Sequence, residues 1–419
     1  MLLACADAVA WDADLDPTFS DDGVLVFSWD GYQPVNGIAV QPDGKIVAVG
    51  RSGNVFASEI GIARFNPDGE LDPTFGVDGV LVLDIGSGDS WATDVAIQPD
   101  GKIVIVGTML NSIPYAVVLR FDPDGTPVDA GSVPFGVPAY GEAVAIQPDG
   151  KIVVAGRAVF TTTESDFAVA RVNPDYSMDT EFGTDGMISW DFDGGFDVAN
   201  DVAVRSDGKI VLAGTATRNG GTVFGVMLFS ATGGPQGLGW ADFGFESEGN
   251  GLALQADGKA VVAGRRLHAS GGDMVVARFN TNCTLDTSFD GDGMRIFSPS
   301  ATGEEGGEDV IVQHDGKIVV LGYLSMTGRA EAALVRFTST GGVDAGFSGG
   351  PYSTFTTFPF SQGWGANGRA IAQQADGKLV VGGWSEGIAY SWHPAVARLQ
   401  GNEDLIFTDA FESGTTDWW

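Results

Sequence analysis

"IQPDGKIVVAG", residues 146–156, is one of seven near-copies of a single stretch. All seven lysines of the chain lie in those copies, at Lys45, Lys102, Lys151, Lys209, Lys259, Lys317 and Lys378, each directly after an Asp-Gly pair. The aspartates stand at 43, 100, 149, 207, 257, 315 and 376, so the steps are 57, 49, 58, 50, 58 and 61 residues. A period of this length means a solenoid or a propeller.

Each unit carries the same strand signals. Unit one has "GIAVQ" (37–41), the turn Pro42-Asp43-Gly44 and "KIVAVG" (45–50). Next come "IGIARFN" (60–66), the turn Pro67-Asp68-Gly69, "LDPTFGVD" and "GVLVLD" (79–84). Short β-branched runs joined by Pro-Asp-Gly read as antiparallel hairpins. Proline presets φ, aspartate closes an Asx hydrogen bond and glycine takes the left-handed conformation. The lysine that follows is expected at a rim, its charge in water.

Four strands in each of seven units predict an all-β fold, a seven-bladed β-propeller of four-stranded antiparallel blades. Residues 15–29, "LDPTFSDDGVLVFSW", are a lone fourth-strand module, and unit seven ends at "AVARLQ" (395–400) without one. The N-terminal strand is therefore expected to complete the last blade and close the ring. Two units depart from the pattern. Residues 126–143 give unit two only a weak fourth strand, and Leu228 replaces an arginine that six units share.

"QPDGKIVVAG", "ARFNPDG" and "LDPTFG-x-DG" resemble the delta-60 repeat family of bacterial β-propellers, over about residues 11–400. That resemblance implies an exported protein without an assigned activity. The strand order is also similar to the NHL-type propeller repeat, which implies "GIAVQ" innermost.

The organisation expected is a signal-peptide remnant at 1–10, the propeller at 11–400 and a tail at 401–419. "LLACADAVA" (2–10) reads like the end of a signal peptide, with Ala8-Val9-Ala10 as a small-x-small cleavage site. "LLAC" admits a lipoprotein site at Cys5 instead. With Cys5 and Cys283 the chain's two cysteines, no disulfide framework can be built. A periplasmic, extracellular or cell-surface monomer is the expectation. No run of eighteen apolar residues could span a membrane. Hydrophobic content of 44% supports a sizeable core, and a net charge of −33 argues against nucleic acid and anionic membrane as partners.

Turns alternate between the two faces of the disc, so the regular Pro-Asp-Gly-Lys turns share one face and the variable connections the other. Binding belongs on the variable loops. If the first strands line the channel, the acids Asp94, Glu142, Asp201, Glu308 and Asp309 are expected to crowd its mouth there, with Asp191, Asp193 and Asp197 nearby. Carboxylates are what Ca²⁺ requires, so these eight are the candidate metal ligands. Trp29, Trp91, Trp190, Trp240, Trp364, Trp384 and Trp392 fall in or beside the same connections and are the candidate ligand-binding residues for a glycan or a cell-surface protein. The other reading of the same tryptophans, as wedges between blades, is the more ordinary one.

No catalytic residue is assigned. Gly383-Trp384-Ser385-Glu386-Gly387 matches G-x-S-x-G, but in a hairpin rather than at the strand-to-helix turn a nucleophile elbow needs. A Ser-His-Asp set built on His268 or His393 stays open. The expected function is an exported, non-enzymatic binding or scaffold propeller with calcium as a candidate aid to binding; the alternative is a polysaccharide hydrolase or lyase with its site in the channel mouth.

Overall fold

The computed structural model describes residues 14–29, 33–54, 57–86, 88–133, 135, 138–160, 164–300, 303–325, 329–347, 355–358, 360, 365–386 and 392–401. Twenty-eight strands among them form seven four-stranded antiparallel sheets. The first strand of each repeat is innermost: Val35–Val40, Asp89–Ile97, Ala139–Ile146, Val198–Val204, Glu246–Leu254, Glu305–Val312 and Ala366–Gln373. These seven touch one another in a closed cycle around the channel. The blades are numbered one to seven in that order.

Six sheets run from inner to outer strand in chain order. In blade 7 the outer strand is Val24–Val26, paired antiparallel with the strand Trp392–Leu399 in the register Val24 to Ala397. The ring closes on its N-terminal strand, as expected. Blade 2 differs from expectation: Pro127–Val133 makes a full fourth strand, entered through an irregularity at Arg120/Phe121. The core lies between blades, where one sheet's aliphatics meet the next sheet's. Val47, Ile62 and Phe75 of blade 1, for example, pack with Ile103, Ile105 and Leu119 of blade 2.

Why each lysine follows Asp-Gly is settled by the turn and by what lies across from it. Asp43 Oδ1 accepts the Lys45 amide at 3.1 Å, Gly44 has φ +83°, and the same bond recurs in all seven turns. The lysine does not simply trail into water. Lys45 Nζ lies 2.7 Å from the buried carboxylate of Asp72, in the "LDPTF" module of the same blade. Arg64 Nε donates to that carboxylate at 2.8 Å, Thr74 donates to its other oxygen, and the guanidinium covers the Phe75 ring at 4.7 Å. Lys-Asp-Arg clusters of this kind recur at Lys151-Asp179-Arg171, Lys259-Asp286-Arg278, Lys317-Asp344-Arg336 and Lys378-Asp16-Arg398. The arginine then reaches the next blade. Nη1 of Arg64, Arg120, Arg171, Arg278 and Arg398 donates to the carbonyl of Pro123, Pro174, Ala231, Ser339 and Pro67 respectively.

Blades 2 and 4 lack the module phenylalanine, and the consequence shows one blade further on. A Cβ at Gly125 would come within 2.5 Å of the Phe75 ring, so the left-handed residue there must be glycine. After blades 2 and 4 that position holds Tyr176 and Cys283, both at φ +68°. With no phenylalanine to clear, Tyr176 supplies the ring itself, and Arg120 stacks on it at 4.5 Å.

Leu228 is compensated as well. Arg205 stands where other turns begin with glutamine, and its Nη1 donates to Thr281 O at 3.0 Å, the equivalent carbonyl of blade 5. Arg205→Gln is therefore expected to lower stability by about 1–2 kcal/mol. Arg205→Gln/Leu228→Arg should recover part of that loss, since it restores the pattern of the other blades. A urea titration of both variants checks this, and a double variant no better than the single refutes the exchange.

Candidate functional site

The variable-face mouth of the channel is a cavity of about 710 Å³. Each inner strand carries a β-bulge there, because an extra residue re-aims the backbone where seven strands converge. The bulged residues are Asn36, Thr93, Glu142, Asn200, Asn250, Glu308 and Arg369, all of which line the cavity.

Most of this ring is bonded to the neighbouring blade. Asn36, Asn200 and Asn250 donate Nδ2 to the carbonyls of Ala92, Gly249 and Gly307, and Thr93 donates to Gly141 O. Arg369 Nη1 donates to Asn36 Oδ1 at 2.9 Å. Glu142 is different: no hydrogen bond joins its carboxyl to a described residue, and its nearest cation is Arg157 Nε at 4.0 Å.

One residue beyond each bulge, the even blades place an aspartate and the odd blades place glycine or alanine. Asp94 accepts the amides of Val95 at 2.7 Å and of Val144, in the next blade, at 2.8 Å. Asp201 does the same with Val202 and Leu252, and Asp309 with Val310 and Ile371. Each carboxylate thus fastens an even blade to the odd blade after it. Burial pushes Asp94 up to about 6 and Asp309 up to about 7, against the backbone donors that favour the charged form. Asp201 is also raised, by burial and then by the charges of Asp309 and Asp94. Glu142 rises to about 7 through burial, partly offset by Arg157.

Five of the eight candidate metal ligands, Asp94, Glu142, Asp201, Glu308 and Asp309, therefore share one cavity. Asp191, Asp193 and Asp197 do not join them. Asp197 is fully buried and accepts the amides of Phe192 and Thr217, while Asp191 and Asp193 accept those of Gly194 and Asn219. No group of three or more His, Cys, Asp or Glu side chains among the described residues is arranged to hold a metal ion.

The tryptophans divide in the same way. Trp91 and Trp392 line the cavity, and Trp392, 48% exposed, stacks on Trp384 at 5.3 Å. Trp29 is a correction: at 1% exposure, pressed against Gly50 and Gly61, it is a core wedge and cannot meet a ligand. Trp190 packs into the layer between blades 3 and 4. Trp240 is exposed on an outer strand, capped by Arg218 at 4.0 Å, away from the cavity lining. Trp364 lies outside the described residues.

Sequence reasoning missed the arginines at and around the mouth, of which Arg51 and Arg369 line the cavity. Arg51, Arg157 and Arg265 directly follow the glycines at 50, 156 and 264, one in each of blades 1, 3 and 5. That alternation is visible in the sequence once the units are aligned by their bulges. Arg265 is held by Glu248 at 2.8 Å and Tyr323 at 3.2 Å, whereas Arg51 faces Trp91 at 5.6 Å and Arg157 faces Tyr140 at 4.0 Å.

Neither Ser385 nor Ser270, the serine beside His268, lines the cavity. Ser385 is buried within a strand rather than at a strand-to-helix turn. Ser270 Oγ lies 3.0 Å from His268 Nδ1, and His268 Nε2 lies 3.4 Å from Asp273, but Arg266 already holds Asp273 at 2.6 Å. Ser270 sits on an exposed hairpin turn outside the cavity lining.

A family pattern described as "Domain of unknown function (DUF5122) beta-propeller" matches residues 41–75, 98–127, 147–182, 205–233, 255–289, 313–347 and 374–402. No curated protein matches the sequence. Among solved structures the chain is similar to a PL25 polysaccharide lyase, an ulvan lyase, with a TM-score of 0.51 at 12% identity, covering 90% of this chain and 96% of that one. Polysaccharide lyase Uly1 gives a TM-score of 0.50 at 10% identity over 88% and 90%. Chaetomium thermophilum Sqt1 bound to the N-terminus of ribosomal protein L10 gives 0.49 at 11% over 90% and 100%. At these identities the likeness is one of fold.

Proposed function

Since the chain belongs to the DUF5122 beta-propeller family, whose description assigns no activity, we propose from its channel mouth that it is an exported, non-enzymatic binding propeller. The observation that carries this reading is the 710 Å³ mouth, with Trp91 and Trp392 in its wall and amide and carboxyl groups around its floor. Aromatic faces give a sugar ring flat apolar area, and the polar ring accepts and donates to its hydroxyls. The ligand proposed is a glycan, free or on a cell surface. Export rests on the Ala8-Val9-Ala10 pattern, and among the described residues no helix is long and apolar enough to cross a membrane.

Trp392→Ala is expected to weaken glycan binding about tenfold, the loss of roughly 1–2 kcal/mol of stacking. Calorimetry against oligosaccharides retained on a glycan panel checks this, and unchanged affinity would remove the mouth from the proposal. Calcium assistance is a separate part of it, because five carboxyls share the cavity. Saturable heat on adding Ca²⁺ to EDTA-treated protein supports it; no heat and no rise in Tm removes it and leaves the glycan reading standing.

One observation favours an enzyme instead. Glu142, without a hydrogen bond to any described residue and raised to about 7, has the proton affinity a general acid or base needs near neutrality. Two lyases share the fold. Turnover of a bound polysaccharide that Glu142→Gln abolishes would establish that rival.

A further inference from the structure

The mouth is not chemically uniform around its ring. On the side of blades 4 to 6 its charges are closed on one another. Arg265 is committed to Glu248 and Tyr323, and Asp201 and Asp309 to backbone amides. On the side of blades 7 to 3, Asp94 is likewise committed to backbone amides, but the arginines are not held as Arg265 is. Among the described residues, Arg51 Nε and Arg157 Nε are buried donors without a hydrogen-bond partner, and the nearest carboxylate to Arg51 is Asp89 at 3.8 Å.

Resting on the binding reading above, we propose that this open half of the mouth binds the carboxylate of an acidic saccharide, a uronate-bearing chain, through Arg51 and Arg369 of its lining, with Arg157 behind Glu142 as a supporting cation. Guanidinium groups match a carboxylate as a fork of parallel donors, which a lysine ammonium cannot do. The distribution of cations fits. All seven lysines lie at the opposite, uniform face, and among the described residues the cations of the cavity lining are Arg51 and Arg369.

The surroundings select a sugar over a bare anion. Trp91 and Trp392 stand in the wall beside Arg51 and Arg369, and Tyr140 lies under Arg157. A pyranose ring on these faces would carry its carboxylate within reach of the guanidiniums, with the hydroxyls toward the polar floor. Glu142, the acid nearest Arg157, does not cancel that cation. It stays 4.0 Å away without a hydrogen bond, and burial keeps its carboxyl protonated up to about pH 7. Arg51 and Arg369 thus remain the cations that an anionic group entering the described lining would meet.

The experiment is calorimetry of the full chain with oligogalacturonates, their carboxyl-reduced neutral counterparts and oligoglutamate. Variants are Arg51→Gln, Arg157→Gln and, as a comparison outside the mouth, Arg218→Gln, each checked by thermal melt. Expected are oligouronate binding, at least a tenfold rise in Kd for Arg51→Gln and Arg157→Gln, no change for Arg218→Gln, and at least tenfold weaker binding of the reduced sugar. A reduced sugar that binds as tightly, and is lost in Trp392→Ala, overturns the carboxylate assignment and leaves the glycan reading intact. Tighter binding of oligoglutamate overturns the saccharide in favour of an acidic peptide. No binding of any sugar, charged or reduced, overturns the inference together with the reading beneath it.

Discussion

Asp16→Ala is expected to cost about 3–5 kcal/mol, because it strips the counter-charge from two cations held at the seam of the ring. Asp16 is 1% exposed and takes Arg398 Nε at 2.7 Å and Lys378 Nζ at 2.9 Å, from residues 382 and 362 positions later in the chain. Burial alone would raise its carboxyl, but the Lys378 ammonium, Thr18 and Arg398 hold it well below the usual carboxylate range. Asp72 occupies the same position in blade 1 with its arginine only eight residues away. Asp72→Ala should therefore lose a comparable energy without opening the ring. Hydrogen exchange separates the two. Asp16→Ala should expose the amides of Val24–Val26 and of the strand Trp392–Leu399, while Asp72→Ala should leave them protected. A loss below about 1 kcal/mol in Asp16→Ala would mean that the strand pairing seals the ring unaided.

The second large effect is a fall in stability as pH rises through neutrality. Asp94, Glu142 and Asp309 have ordinary values of 3.8, 4.5 and 3.8 and rise to about 6, 7 and 7 in the folded chain. Between those limits the folded state binds more protons than the unfolded one. Their contribution is complete below about pH 4 and is lost as pH climbs through 6 and 7. The clustered aspartates act oppositely: Asp16, Asp72 and Asp286 are lowered, so their contribution is present above about pH 4 and lost as pH falls. Stability should peak between about pH 4 and 5.5, and Tm at pH 8 should lie roughly 5–10 °C below that peak. Glu142→Gln tests the assignment, since no backbone group depends on that carboxyl. It should remove about 2–3 kcal/mol of the decline without cost at pH 5. A Tm that is level from pH 5 to 8 would show that the mouth carboxyls ionise freely.

The fold was legible because every blade repeats its own instructions. Pro-Asp-Gly-Lys states a turn, β-branched runs state strands, and the displaced "LDPTF" at residue 15 states the closure. The partner of the lysine was not legible, because Asp72 lies 27 residues from Lys45 and only the folded sheet brings them together. The site was half legible. The acids at the channel entrance followed from strand order, and five of them do line the mouth. What they do there depends on bulges, which turn carboxylates toward the next blade's amides and leave no trace in composition. Trp29 and Trp392 look alike in sequence, yet the first lies against two glycines in the core and the second stands at the rim. Burial of that kind is decided by the neighbouring blade, not by the residue's own unit.

Around the axis, even blades present aspartate and odd blades present glycine or alanine, and each aspartate grips the blade after it. A two-state alternation cannot be carried consistently around a ring with an odd number of members. Somewhere two like members must meet, and here they are blades 7 and 1, with Ala370 beside Gly37. No carboxylate is left over to bind them, and the contact falls instead to Arg369 on Asn36. Six or eight blades would have closed without a defect, every unit gripped and none left over. Seven guarantees one mismatched junction, and the arithmetic of the ring puts it where the first and last blades meet and where the open half of the mouth begins.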